Sequence, residues 1–333
     1  MTRRGWKARG LPTVLGTLLL IGVAGAANPT PLRVNVFPGV GNLAIFAAQA
    51  KGLFVKHGLA VELMFTPNSP EQRTGLAKGA FEIAHAAVDN AVAMVEMANV
   101  DVVVVMGGDS SLQELYVQPE IRSATDLRGK TAIVDAPDTA YALLLKKILL
   151  LNGLKADTDY TIKATGSTAT RYKLMKEHKE YAASMLNPSF SIQASGDGLR
   201  SLGVGSTLVG GYQGSGAFVM RAWARANGPT LERYIAAYVE GLRWALAPAN
   251  RAEASALLAN RLKLPPDIAA ATYERAVDPA GGLHPDARLD VDGFKKVLAI
   301  RAETEGQWGG TPPAAEKYYD VSYYERALKG LSP

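Results

Sequence analysis

Through residues 30–220, short apolar runs of strand length alternate with helical patterns, and that alternation limits the fold more than any other feature of the chain. LRVNVFP (residues 32–38) opens the series; GVGNLAIFAAQAKGLF, LAVELMFT, FEIAHAAVDNAVAM and VVVVMGGDSS follow it. Strands alternating with helices stack as βαβ units around a mostly parallel sheet. Ligands of such sheets bind beyond the carboxyl ends of the strands. The functional reading therefore turns on a small set of loop residues.

Residues 1–26 read differently. Arg3, Arg4, Lys7 and Arg9 form a basic segment, residues 11–23 are apolar apart from Thr13 and Thr17, and AGAA at 24–27 offers a small-residue cleavage site. This is the pattern of a secretory signal peptide cut after Ala26. The apolar run is shorter than the ~20 residues that a membrane span requires. Gly5, Trp6 and Lys7 stand where a twin-arginine signal would carry its hydrophobic pair, so the general secretory route is expected. The formal net charge of +5 falls to +1 without the four basic residues of the leader. A nearly neutral remainder gives no electrostatic case for nucleic acid or a membrane surface as partner. The chain contains no cysteine, which excludes disulfides, thiolate metal sites and a cysteine nucleophile. Export without disulfides or lipid attachment fits the periplasm of a Gram-negative bacterium.

The length suggests two domains at ~150 residues each. The first α/β series runs from Leu32 to Gly108, where Gly107 and Gly108 break the pattern, and LYVQ (115–118) reads as an extended connector. KTAIVDAP, YTIKAT and YAASML read as strands of a second series, with helices over TAYALLLKKILLLNGL and around residues 170–178. GAFVMRAWA reads as a second connector returning the chain. Beyond Pro229 the pattern is helical, with apolar positions at Ile235, Tyr238, Val239, Leu242, Ala245 and Leu246. Segments 252–262, 266–276 and 291–305 continue that style, and a tyrosine-rich tail, KYYDVSYYERAL, is expected to pack on one lobe. This gives lobe one as residues 27–109 and 213–333, and lobe two as 110–212. Glycines at 107–111 and 211–216 are expected to act as hinges, and two connectors between lobes suit closure around a ligand.

Polar residues recur at the expected strand ends. In lobe one these are Asn42, Asn68 with Ser69, His85 with Asp89, and Asp109 with Ser110; in lobe two, Asp135, Asp138 with Thr139, Ser167 with Thr168, and Asn187. Ser69, Asp89, Asp138 and Thr168 also stand where a helix N-cap is wanted, so capping competes with ligand contact for each. His85 fits equally a buried, hydrogen-bonded histidine and a donor to ligand. Phe37 fits a core position or a stacking platform, as do Tyr116, Tyr141 and Phe190. Gly39, Gly41 and Ala44 match G-x-G-x-x-A between a strand and a helix, with Glu62 21 residues past Gly41, close to a dinucleotide fingerprint. Glu62, however, sits inside AVELMF rather than at the end of the run. The glycines need only bring backbone N–H groups near a ligand at a helix start. His57, His178 and His284 show no metal-ligand spacing, and no serine lies in a G-x-S-x-G elbow. DVDG (290–293) imitates a calcium loop but lacks the acidic first and last ligands.

AAQAKGLFVKHGLAVEL, GLAKGAFEIAHAAVDNAVAM, DLRGKTAIVDAPDTAY and APANRAEASALLANRL, with KYYDVSYYERAL at the end, resemble the type II periplasmic substrate-binding proteins of ABC importers. The resemblance is to the sulfonate/nitrate/thiamine-pyrimidine-binding branch. It implies an α/β fold of two lobes, each a mostly parallel sheet flanked by helices, joined by two hinge connectors. It further implies a monomer that captures a small polar or heteroaromatic molecule and delivers it to an inner-membrane permease, without cofactor, metal or catalysis. Cleft contacts would fall at Gly39, Gly41, Asn42, Asn68, Ser69, His85, Asp89, Asp138, Thr139, Ser167, Thr168 and Asn187. Phe37, Asp109 and Ser110 join them as strand-end candidates. An enzyme of the superfamily that makes the thiamine pyrimidine depends on cysteines, which this chain lacks. The alternatives are an exported enzyme using the glycine turn at 39–44, or a ligand-sensing module for a signalling receptor.

Overall fold

The computed structural model describes residues 1, 2, 5, 28–279 and 281–331. Most of the expected signal segment, with its cut after Ala26, lies outside the described residues. Ten strands follow in chain order: β1 Thr30–Val36, β2 Leu59–Phe65, β3 Ile83–Ala87, β4 Val102–Gly107, β5 Glu114–Val117, β6 Thr131–Val134, β7 Thr161–Ala164, β8 Tyr181–Leu186, β9 Arg200–Val204 and β10 Ser215–Met220. They form two five-stranded sheets, ordered β2-β1-β3-β10-β4 and β7-β6-β8-β5-β9. In each sheet four strands run one way and one runs against them: β10 is antiparallel to β3 and β4, and β5 to β8 and β9. β4 shows why the runs become strands, since VVVVMG opens with four β-branched valines and is buried at every position.

The two reversed strands are the segments that read as connectors. A lone four-residue run such as ELYV has too few positions to show a period. Every residue of it is nevertheless buried, and a buried backbone must pair its N–H and C=O groups. Pairing with β8 on one side and β9 on the other meets that need, so β5 is an interior strand and β10 likewise.

The chain crosses between the sheets twice, through residues 108–113 and 205–214. The crossings are laced together. Gln213, fully buried, donates from Nε2 to the carbonyls of Ser215 (2.7 Å) and Asp109 (3.2 Å) and accepts from Asp290 N at 2.7 Å. The Asp109 carboxylate accepts from Ser111 N (2.8 Å), Ser215 N and the Ser215 hydroxyl. A third segment joins them: His284 N donates to Gly108 O at 2.8 Å, and Asp109 bridges Leu283. The crossing glycines serve close packing rather than rotation. A Cβ on Gly216 would meet Met106 O at 2.6 Å, one on Gly108 would meet Ser215 Oγ at 2.6 Å, and one on Gly214 would collide with Asp109 and Ser111. None of these three has positive φ, whereas Gly210 and Gly211 do, with nothing within 4 Å of their absent Cβ. The hinge expected at 211–216 is thus a packed hub, with freedom at Gly210 and Gly211 on its margin.

Helices flank both sheets. Gly228–Leu246 and Leu43–Ala50 pack together under the first. The C-terminal helices also reach the second sheet: Pro266–Ala276 packs on Pro188–Gly196, and Val291–Glu305 on Ala140–Leu151. The tyrosine-rich tail extends the first sheet at β4, where Val104 N donates to Tyr318 O (2.9 Å) and Asp320 N to Val104 O (2.8 Å). That pairing covers part of an otherwise open edge.

Candidate functional site

A partly open cavity of about 140 Å³ lies between the two sheets at the carboxyl ends of their strands. On the first-sheet side the strand-end candidates Phe37, Gly39, Gly41, Asn42, Ser69, His85 and Asp109 line it, and on the second-sheet side Thr139, Ser167, Thr168 and Asn187. The glycine turn is shaped by Asn42, whose Nδ2 donates to Phe37 O at 2.7 Å and closes the loop from β1 into helix Leu43–Ala50. Gly39 is extended, and a Cβ on it would stand 3.2 Å from Asn187 Nδ2. The lobes meet closely at this point because that Cβ is missing.

On the second-sheet side three helices begin at the cavity: Ala140–Leu151, Thr168–Glu177 and Pro188–Gly196. First-turn N–H groups have no partner within a helix and favour acceptors placed before them. Ser167 accepts from Thr170 N and caps the second of these helices. Thr139 Oγ1 instead donates to Ala136 O at 2.8 Å, and neither Thr139 nor Asn187 caps its helix by a side-chain hydrogen bond. The start of helix Ala140–Leu151 therefore meets the cavity without a side-chain cap, whereas helix Pro188–Gly196 opens with a proline that has no N–H, and Phe190 N and Ser191 N both donate to Asn187 O.

His85 is half-buried and stands at the wall. Its Nε2 pairs with the Tyr234 hydroxyl at 2.8 Å, and its ring stacks on Tyr238 with centroids 5.2 Å apart. Burial lowers its pKa to about 3, so it faces the cavity as a neutral imidazole. The aromatic candidates divide. Phe37, Tyr141 and Phe190 line the cavity, whereas Tyr116 is buried in a small cluster with Ile133 and Leu186.

Four candidates do not line the cavity. Asn68 accepts from Glu71 N at 2.8 Å and caps helix Ser69–Ala77, displacing the cap expected at Ser69 by one residue. Asp89 is the first residue of helix Asp89–Ala98, not its cap, and pairs with Arg301 at 2.6 Å with both side chains 1% exposed. Ser110 bonds His284 Nε2 at 2.5 Å beside the crossing hub. Asp138 accepts from Arg73 at 2.7 Å, and the cap position of the following helix falls to Thr139. The expected cap at Thr168 likewise moves to Ser167, because the cap is the last residue with extended backbone before the first helical turn.

Arg171, which its place inside a helix concealed in the sequence, also lines the cavity while only 4% exposed. It donates to Ser184 Oγ (2.9 Å), Gly166 O (2.6 Å), Thr168 Oγ1 (3.0 Å) and Met185 O (3.0 Å), all uncharged oxygens. Burial lowers its pKa to about 10. It ties the loop after β7 to the end of β8, and so sets the second-sheet half of the wall. Asp135, another strand-end candidate, also lines the cavity, and Asn90, Gln113 and Ser215 add further polar lining. Glu62, by contrast, lies mid-strand on edge strand β2, exposed and outside the lining, so the glycine turn lacks the acidic partner a dinucleotide site needs.

The model of the NMT1/THI5-like family matches residues 42–252. The chain belongs to the NMT1/THI5-like family. No curated protein matches it. Among solved structures, a Bordetella bronchiseptica RB50 protein superposes with a TM-score of 0.79 at 16% identity, over 91% of this chain and 98% of that one. The periplasmic nitrate-binding protein NrtA of Synechocystis PCC 6803 gives 0.75 at 13% identity, over 91% and 89%. The alkanesulfonate-binding protein SsuA of Xanthomonas axonopodis pv. citri, bound to MOPS, gives 0.70 at 19% identity, over 90% and 98%. At such identities the likeness is one of fold: this NMT1/THI5-like chain has the two-lobed α/β periplasmic-binding-protein architecture.

Proposed function

We propose that this protein is an exported solute-binding protein of the periplasm. In this reading it captures a small polar or heteroaromatic molecule between its lobes, as a monomer, and hands it to an ABC permease. Lobe one comprises residues 27–109 and 213–333, and lobe two 110–212. The observation that carries the reading is the partly open cavity, walled from both sheets, with helix starts from both sides at its surface. Its volume of about 140 Å³ is close to the ~150 Å³ of an apolar cavity that accepts benzene, which gives room for one ring with small substituents. The start of helix Ala140–Leu151, which has no side-chain cap, suits an acceptor on that ligand, and Phe37, Tyr141 and Phe190 suit a flat apolar face. Titration of the purified mature chain with sulfonates, pyrimidines, carboxylates and amines, read by melting temperature and calorimetry, tests it. One class should bind with 1:1 stoichiometry and raise the melting temperature. Release of a stoichiometric nicotinamide or flavin on denaturation, or turnover of any bound compound, would refute it.

A further inference from the structure

The cavity wall holds one cationic side chain, and that cation is committed to the wall itself. Among the described residues Arg171 is the sole lysine or arginine of the lining. Four of the five N–H groups of its guanidinium go to Ser184 Oγ, Gly166 O, Thr168 Oγ1 and Met185 O. Two acids, Asp109 and Asp135, share the lining with it. His85 adds no positive charge, because its lowered pKa of about 3 keeps the imidazole neutral. The wall thus sets two acidic side chains against one basic one.

The hydrogen-bonding demand leans the same way. Asn90 and Gln113, 3% and 7% exposed, each keep the side-chain oxygen buried without a partner, and so does Asn187. Asp135 accepts from Ser69 N through Oδ2 at 3.0 Å, while its buried Oδ1 has no donor. Among the described residues, every partnerless buried side-chain atom of the lining is therefore an acceptor oxygen. An amide can turn its nitrogen inward, but a carboxylate offers only acceptors, so Asp135 fixes the sign of the demand. A buried acceptor left without a donor is costly, and most of all when it is charged.

We infer that the ligand of this cavity is a small organic cation, an amine or amidine carried on a single flat ring, whose N–H donors are taken by Asp135 and the amide oxygens of the wall. The inference rests on the binding reading and narrows its ligand to one sign of charge. Oxyanions such as sulfonates and carboxylates are the class it excludes. The uncapped start of helix Ala140–Leu151 does not reverse this. A helix start carries about half a positive charge, which suits a neutral acceptor on the ring but does not offset the Asp135 charge. Phe37, Tyr141 and Phe190 add aromatic faces, which attract cations and not anions.

Probes that share one ring and differ in charge test it: benzamidine and benzylamine are cations, benzamide is neutral, benzoate and benzenesulfonate are anions. In calorimetric titrations of the mature chain at neutral pH, a cation should bind 1:1 and at least about tenfold tighter than either anion, with benzamide between them. Asp135→Asn keeps an oxygen for Ser69 N and removes the charge. It should weaken the cation at least about tenfold and benzamide less than about threefold, with circular dichroism unchanged. Asp138→Asn, which alters an acid of the same loop outside the lining, should shift cation affinity less than about threefold. The order of the probes in wild type decides the sign of charge even if Asp135→Asn fails to fold. An anion that binds as tightly as the cations overturns the inference and leaves the binding reading standing, since the cavity would still capture a small ring. Equal losses of benzamidine and benzamide in Asp135→Asn overturn the role of Asp135. Cations that do not bind overturn the inference as well, and the binding reading fails with it only if every class of its own wider panel fails too.

Discussion

Asp89→Ala separates two accounts of one residue. As an N-cap, Asp89 would contribute ~1 kcal/mol. In the structure it is one half of a fully buried ion pair, with two bonds from Arg301 at 2.7 and 2.6 Å. Removing one partner leaves the other charge buried and unpaired, which costs ~3–5 kcal/mol. Arg301 retains only Asp138 O and Gln307 Oε1 as oxygen partners, at 2.9 and 3.3 Å, and neither carries charge. The expected loss is therefore several-fold larger than a cap. Equilibrium urea unfolding of wild type, Asp89→Ala, Arg301→Met and the double variant Asp89→Leu/Arg301→Met measures it. Each single variant should lose at least ~3 kcal/mol, and the double variant far less than their sum, since a buried pair replaced by apolar side chains is often neutral. A loss near ~1 kcal/mol for Asp89→Ala, or additive losses in the double variant, would show that the pair does not act as a unit.

The remaining predictions are shorter. Because the folded pKa of His85 is about 3 against an unfolded value of ~6.5, its neutral form stabilises the fold above pH ~6.5, and that contribution is lost as pH falls towards 3. Melting temperatures at pH 7 and 5 should accordingly differ less in His85→Asn than in wild type. Gly216→Ala, whose Cβ would press on Met106 O at 2.6 Å, should lower the melting temperature more than Gly210→Ala, where only positive φ opposes the change. Asn187→Ala should weaken binding of whichever probe class succeeds, at little cost in stability, since Asn187 Oδ1 has no partner among the described residues. Secreted material should begin at Ala27 when sequenced from its N-terminus, and Arg3 still present in periplasmic protein would refute cleavage.

Those predictions draw on two kinds of legibility in the sequence. Helices with a long apolar face were readable to within a few residues: segments 266–276 and 291–305 coincide with Pro266–Ala276 and Val291–Glu305. YAASML is β8 as read. Strand-end polar residues gathered at the cavity because the parallel strands of each sheet end on the same side, which topology alone dictates. The caps slipped by one residue at Ser69, Asp89, Asp138 and Thr168. Asn, Ser, Thr and Asp are interchangeable as caps, and only the backbone angle at each position decides among neighbours. Arg171 was invisible for a different reason. An arginine in a helix of low apolar content reads as a solvated face until the strand β8 is known to lie over it.

The same slippage explains how the cavity wall and the Arg73–Asp138 pair come to share one loop. From Asp135 to Thr139 the chain carries two carboxylates within five residues at the end of β6. Sequence reasoning assigns both to a cap or to a ligand, the two roles available to one lobe considered alone. A second lobe adds a third: an acceptor for donors that cross the gap. Asp138 takes that role because Arg73 stands one helical turn beyond Ser69, so the helix that presents Ser69 N to Asp135 also presents Arg73 to Asp138. Spacing of four on one helix face thus matches spacing of three on the facing loop, and Asp138 is taken from the cavity by a contact that neither segment encodes by itself. Thr139, one residue on, remains in the wall. Whether a strand-end acid meets ligand or the other lobe is decided by the register between lobes, a property of the fold that no local pattern contains.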